Sequence, residues 1–196
     1  MVECDAGEPR LVIVGGPNGA GKTTVSRLLM VEWRLEYLGA DQVAEEQGLG
    51  STGGDAVRAG RLFLAKVAEA LAARRSVLVE STLSGLSTRR ILERFRSAGY
   101  RILVVEVFVG SADLCIRRIR GRVARGGHFV PDVDVRRRFH RSVHNFWAVY
   151  RLQADAWQVI YNAEGRSILC ARGVDDEAVV VDGAAFRVFA HLLQER

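Results

Sequence analysis

Hydrophobic and polar positions fall into alternating blocks along this chain. Short β-branched runs give way to longer stretches in which apolar residues return every three or four positions. The runs at 10–14 (RLVIV), 77–79 (VLV), 101–109 (RILVVEVFV) and 157–161 (WQVIY) are strand-sized and nearly continuous, as burial on both faces of a sheet requires. Residues 23–33, 55–75, 86–98 and about 132–152 carry the helical spacing instead. A short strand at 36–40 (EYLGA) follows the first helix, and a glycine-rich stretch at 48–54 divides a short helix from the long one. Ser111 is placed to cap a helix running through an arginine-rich segment, which Gly126, Gly127 and Pro131 interrupt. The tail adds strand-like pieces at 167–171 and 178–181 and a last helix at 184–194.

Strands alternating with helices from end to end predict an α/β fold with a parallel sheet flanked by helices. No repeat, low-complexity tract or linker breaks the pattern. A single domain is expected over residues 1–196, with an arginine-rich helical lid at about 113–141 and a strand and helix extension at about 166–196.

Ligands of open parallel sheets bind beyond the carboxyl ends of the strands, so the residues following each strand come next. After the first strand stands Gly-Pro-Asn-Gly-Ala-Gly-Lys-Thr at 16–23, a complete phosphate-binding P-loop between a strand and a helix. Gly16, Asn18, Gly19, Ala20 and Gly21 supply inward-pointing N–H groups. Lys22 is placed to reach the β- and γ-phosphates of ATP, Thr23 to ligate Mg²⁺, and Thr24 to extend the helix N-terminus toward the anion. Asp41, directly after the second strand, is positioned as a general base for a hydroxyl acceptor or as a helix N-cap. Glu80 ends the third strand and is followed by Ser81 and Thr82. It is a candidate for the Mg²⁺ shell or for a hydroxyl of the acceptor.

Charge sharpens the picture. The chain has a net charge of +5, yet nine arginines and three aspartates fall between Asp113 and Arg141, leaving nineteen basic and twenty acidic residues elsewhere. The basic character therefore belongs to one segment, a local anion site more than a broad nucleic-acid face. Arg118, Arg122 and Arg125 share one helix face; Arg136, Arg137, Arg138 and Arg141 follow the hinge. Arginines on such a lid can close on the γ-phosphate and neutralise charge in the transition state. Arg117 and Arg120 are expected to be solvated and His128 to be structural. Lysine occurs only at 22 and 66, and a compact ammonium suits a tight phosphate nest better than a planar guanidinium does.

Composition excludes other classes. No apolar stretch is long enough to cross a membrane, the acidic start MVECDAGEPR has no signal-like core, and Cys4, Cys115 and Cys170 lack metal-ligand spacing. A cytoplasmic protein with reduced thiols is expected. Leu83-Ser84-Gly85 echoes a transporter signature without completing it, and residues 179–182 imitate a Walker B strand at the wrong end of the chain. A motor or transporter ATPase loses ground, and a small-molecule kinase gains it.

With GGPNGAGKTT, ESTLSG at 80–85, RVARGGHFVP followed by RRRFHRS, and YNAEG at 161–165, the chain resembles the zeta-toxin-like P-loop kinases from about residue 10 to 172. The resemblance implies a nucleoside-kinase-like parallel sheet of order 2-3-1-4-5 and ATP with Mg²⁺ at Lys22 and Thr23. It implies Asp41 as general base, Glu80 and Thr82 at the acceptor, and Arg118, Arg122 and Arg138 on the transferring phosphate. It further implies a UDP-sugar as an acceptor and an antitoxin as a protein partner. Two alternatives stay open: an NTPase switch, and a nucleic-acid-binding or end-phosphorylating protein, although few aromatics interleave the arginines.

Overall fold

The computed structural model describes residues 8–39, 42–43, 46–48, 53–127, 129–163, 165–174 and 177–195. Asp41 and His128 lie outside the described residues.

The apolar runs become β1 (Arg10–Gly15), β2 (Glu36–Leu38), β3 (Val77–Glu80), β4 (Arg101–Phe108) and β5 (Ala156–Ala163). They pair in parallel in the order β2-β3-β1-β4-β5, the order the resemblance implies. Two further strands, β6 (Arg166–Val174) and β7 (Glu177–Val180), extend the sheet antiparallel from β5, which makes β4 the middle of seven strands among the described residues. Gly165, in the left-handed region at φ 80°, lies in the tight β5–β6 connection, where a glycine carries no Cβ penalty.

The helices are α1 (Lys22–Trp33), α2 (Gly53–Ala72), α3 (Ser87–Ser97), α4 (Ala112–Val123), α5 (Asp132–Asn145) and α6 (Gly183–Leu192). Side chains alternate across the strands, and each set finds its own cover. Leu11, Ile13, Val79, Ile102 and Val104 join residues of α2 to α6 in one core, including Phe95, Ile119, Phe139 and Phe189. Val12, Val14, Leu78, Val105 and Val107 meet Val25 and the partly buried Leu29 and Trp33 of α1 on the other face. Both faces of the parallel strands are buried, which explains why they read as continuous apolar runs.

The helix expected at about 132–152 is regular only to Asn145. It continues as a π-helical turn, Phe146–Tyr150, and a 3₁₀ turn, Arg151–Gln153. Ser111 caps α4 as its position suggested, its hydroxyl accepting from the Leu114 amide. Among the described residues no helix is long and apolar enough to cross a membrane.

Candidate functional site

The P-loop joins β1 to α1 and opens a polar cleft of about 750 Å³ at the carboxyl ends of the strands. Helix α1 begins after Gly21 with no side-chain cap and no acidic residue in its first turn. Helices α4 and α6, by contrast, are capped by Ser111 and Asp182. First-turn N–H groups of an uncapped helix still need acceptors, and the helix dipole favours an anion there. Glycine is required at Gly16, Gly19 and Gly21, all at positive φ. Gly19 and Gly21 sit at φ 83° and 97°. A Cβ on Gly19 would come 2.6 Å from the Cys115 carbonyl oxygen, and one on Gly21 would come 2.0 Å from Asn162 Nδ2.

Lys22 Nζ donates to the carbonyls of Gly16 (2.8 Å) and Pro17 (3.1 Å), which puts its charge inside the loop. Thr23 Oγ1 donates to Glu80 Oε2 at 3.3 Å, while Glu80 Oε1 is buried without a hydrogen-bond partner. A threonine hydroxyl beside an orphaned carboxylate oxygen is a hard, oxygen-only pair. It fits Mg²⁺ shared with substrate phosphates. No group of three or more His, Cys, Asp or Glu that could hold a metal ion occurs among the described residues.

The arginine-rich segment faces the loop from the other side. Arg118 and Arg122 of α4, Arg125 in the turn that follows it rather than on the expected helix face, and Arg138 of α5 line the same cleft as Asn18, Lys22, Thr23, Thr24, Glu80 and Thr82. Arg138 Nη1 donates to Asn18 Oδ1 at 3.1 Å, and Arg118 Nη2 donates to the Asn162 carbonyl at 3.1 Å. Five cationic side chains and one carboxylate thus border the cleft among the described residues, an arrangement suited to a polyanion. Other arginines of the segment are spent on exposed ion pairs: Arg120 with Asp132, Arg136 with Asp113 and Arg137 with Asp134.

Gly16 and Ala20 serve the loop from within. Ala20 is buried, and its carbonyl accepts from Asn162 Nδ2 at 2.7 Å. Thr82 Oγ1 shares a hydrogen bond with Ser84 Oγ at 2.8 Å. The residues after β3 are held in shape from α5 and its π-helical end. Leu83 takes a left-handed backbone conformation, φ 50°. Its carbonyl accepts from Asn145 Nδ2 at 2.7 Å, and the Gly85 carbonyl accepts from the Tyr150 hydroxyl at 2.5 Å.

Sequence reasoning missed Asn162, Tyr37 and Ser167, which also border the cleft. The strand-end rule would have found Asn162 had it been carried to the fifth strand. Both described cysteines are buried, and burial pushes the Cys115 thiol up to about 12 and the Cys170 thiol to about 11. Neither is a nucleophile at neutral pH.

With this geometry in place, comparison with known proteins becomes specific. The description of the AAA domain family AAA_33 matches residues 11–144. The chain belongs to that AAA domain family. No curated protein matches it. Among solved structures, a candidate kinase from Chloroflexus aurantiacus is 24% identical, with a TM-score of 0.56, over 69% of this chain and 77% of that one. The PezAT chromosomal toxin-antitoxin system of Streptococcus pneumoniae provides a chain 16% identical, with a TM-score of 0.64, over 99% of this chain and 89% of that one. AvrRxo1-ORF1:-ORF2 with ATP is 15% identical, with a TM-score of 0.73, over 93% of this chain and 64% of that one. At these identities the structures establish the fold: this member of the AAA domain family has a P-loop kinase-like architecture.

Proposed function

We propose that the protein is a kinase that transfers the γ-phosphate of ATP to a hydroxyl of a small molecule, with a UDP-sugar the first acceptor to test. The observation that carries this reading is the single cleft in which Lys22, the Thr23–Glu80 oxygen pair and four arginines of the segment from α4 to α5 converge. The structure of AvrRxo1 with ATP supports ATP as the nucleotide. In this reading the loop amides and Lys22 hold the phosphates in line with the acceptor. Mg²⁺ bound at Thr23 and Glu80 would offset charge between the β- and γ-phosphates. Asp41 accepts the acceptor's proton as the new O–Pγ bond forms and the bond from Pγ to the β-bridging oxygen breaks, releasing ADP. Arg118, Arg122 and Arg138 neutralise the oxygens of the transferring group. Glu80 and Thr82 orient the acceptor. The likeness to a toxin-antitoxin system supports an antitoxin as a protein partner, and the reduced, buried cysteines fit a cytoplasmic setting.

The deciding experiment incubates the protein with γ-labelled ATP and a fractionated metabolite pool, UDP-sugars included. Lys22→Ala should abolish nucleotide binding and labelling together. Asp41→Asn should keep Mg-ATP binding and lower transfer by about 10²–10⁴-fold, the worth of a positioned base. Full hydrolysis in Asp41→Asn with no acceptor labelled in any fraction would replace the kinase with an NTPase switch.

A further inference from the structure

Strand β4 places a carboxyl group between Val105 and Val107, in an otherwise apolar run. Glu106 is 0% exposed. It is in register with Gly15, the last residue of β1 before the P-loop. A Cβ on Gly15 would come 2.8 Å from Glu106 Oε2 and 2.2 Å from Leu83 Cδ1, so the carboxyl group fills the space directly beneath the start of the loop. Glu106 Oε1 accepts from Ser142 Oγ at 2.7 Å, and Oε2 is buried without a hydrogen-bond partner. Ser142, itself fully buried, lies one turn beyond Arg138 on α5. Helix α5 therefore meets the nucleotide loop twice: above through Arg138 and Asn18, below through Ser142 and Glu106.

A buried carboxyl with one orphaned oxygen is costly in a core that apolar side chains could fill. Its surroundings decide what it does. On β1 it faces Gly15, and on α5 the Ser142 hydroxyl. The Lys22 ammonium at the start of α1 is the charge that acts on it. Burial outweighs both the Ser142 hydrogen bond and the Lys22 attraction, and pushes the carboxyl up to about 8. Near and above neutral pH the group thus divides between a neutral form and an ionised form whose negative charge opposes that of a phosphate above it.

We propose that Glu106 is a positioning residue of the nucleotide site, a buried proton carrier that is protonated when a polyphosphate binds above it, so that the Lys22 charge acts on the phosphates alone. The inference rests on the P-loop's binding a nucleotide, not on the identity of the acceptor. The added negative charge favours the neutral carboxyl, so a proton moves from solvent onto Glu106 as the nucleotide enters. By linkage, affinity falls as pH rises through the range in which Glu106 ionises, by up to about tenfold per pH unit.

The test is calorimetric titration of the full chain with Mg-ADP and with a non-hydrolysable ATP analogue from pH 7 to 9, in buffers of different ionisation enthalpy. Wild type should take up a fraction of a proton near pH 8 and lose affinity several-fold toward pH 9. Glu106→Gln should show neither effect. Ser142→Ala removes a hydrogen bond that favours the ionised form, so its proton uptake should move to higher pH. That shift gives a second readout should Glu106→Gln fold poorly. Proton uptake equal in wild type and Glu106→Gln, or unmoved in Ser142→Ala, would overturn the role while leaving the kinase reading intact. Failure of wild type to bind either nucleotide would overturn both.

Discussion

Arg122 and Arg138 approach the cleft from two different helices, and their value as catalytic groups depends on the guanidinium fork rather than on charge alone. Lysine in either place keeps the charge and loses the paired donors. We expect Arg138→Lys to lower turnover by about 10²-fold or more while ATP affinity changes little, because the contacts tighten as charge develops on the transferring group. Steady-state kinetics beside equilibrium nucleotide binding would show it, and unchanged turnover would remove Arg138 from the catalytic set. Glu106 adds a prediction about stability. Its carboxyl stays protonated to about pH 8 in the folded protein but titrates near 4.3 in an unfolded chain. Between those values the folded state holds the extra proton. Stability is therefore full below the unfolded value and is lost as pH rises through 8, with a slope of at most about 1.4 kcal/mol per pH unit. Urea melts at pH 5, 7 and 8 should show this decline in wild type and a flatter profile in Glu106→Gln.

At the level of elements, the connection from β3 to α3 depends on the far end of α5. Leu83 holds a left-handed backbone conformation, which costs a non-glycine residue roughly 1–2 kcal/mol. The hydrogen bonds from Asn145 and Tyr150 hold that shape in place, and Thr82 sits within it. The π-helical turn after Asn145 is part of this device, since a wide turn resets the helical phase between the two donors. Asn145→Ala should lower stability by about 1–2 kcal/mol, the cost of a carbonyl left without its partner. It should weaken the acceptor more than ATP, because the P-loop does not use this contact. Urea denaturation and separate KM values for the two substrates would check it. An equal loss for both substrates would mean that the loop serves the nucleotide.

Across the whole molecule, the arrangement of charge separates a kinase from a nucleic-acid clamp. Five cations line one cleft, while Arg120, Arg136 and Arg137 are neutralised by aspartates on the outer surface. A surface that tracks a phosphate backbone would leave such residues available. Single-stranded RNA and DNA should accordingly bind weakly, and Arg122→Lys should impair phosphoryl transfer. Oligonucleotide binding that is tight at low salt, weakens steeply as salt is added and survives Arg122→Lys would favour the clamp. What the sequence alone determined was local: the strand, loop and helix of the P-loop, the five parallel strands, and the pairing of Arg118 with Arg122 on α4, though not Arg125, which falls past the helix end. These depend on residues only a few positions apart, where backbone geometry and periodicity act directly. The carboxyl in RILVVEVF was visible as an anomaly, but nothing nearby in the chain named its partners. Tertiary structure alone brought Ser142 to Glu106 and Asn162 to Ala20, across 36 and 142 positions. Such meetings depend on which strands become neighbours and how helices settle on the sheet. Those outcomes follow from burying the apolar surface of the whole chain at once, which no short segment encodes.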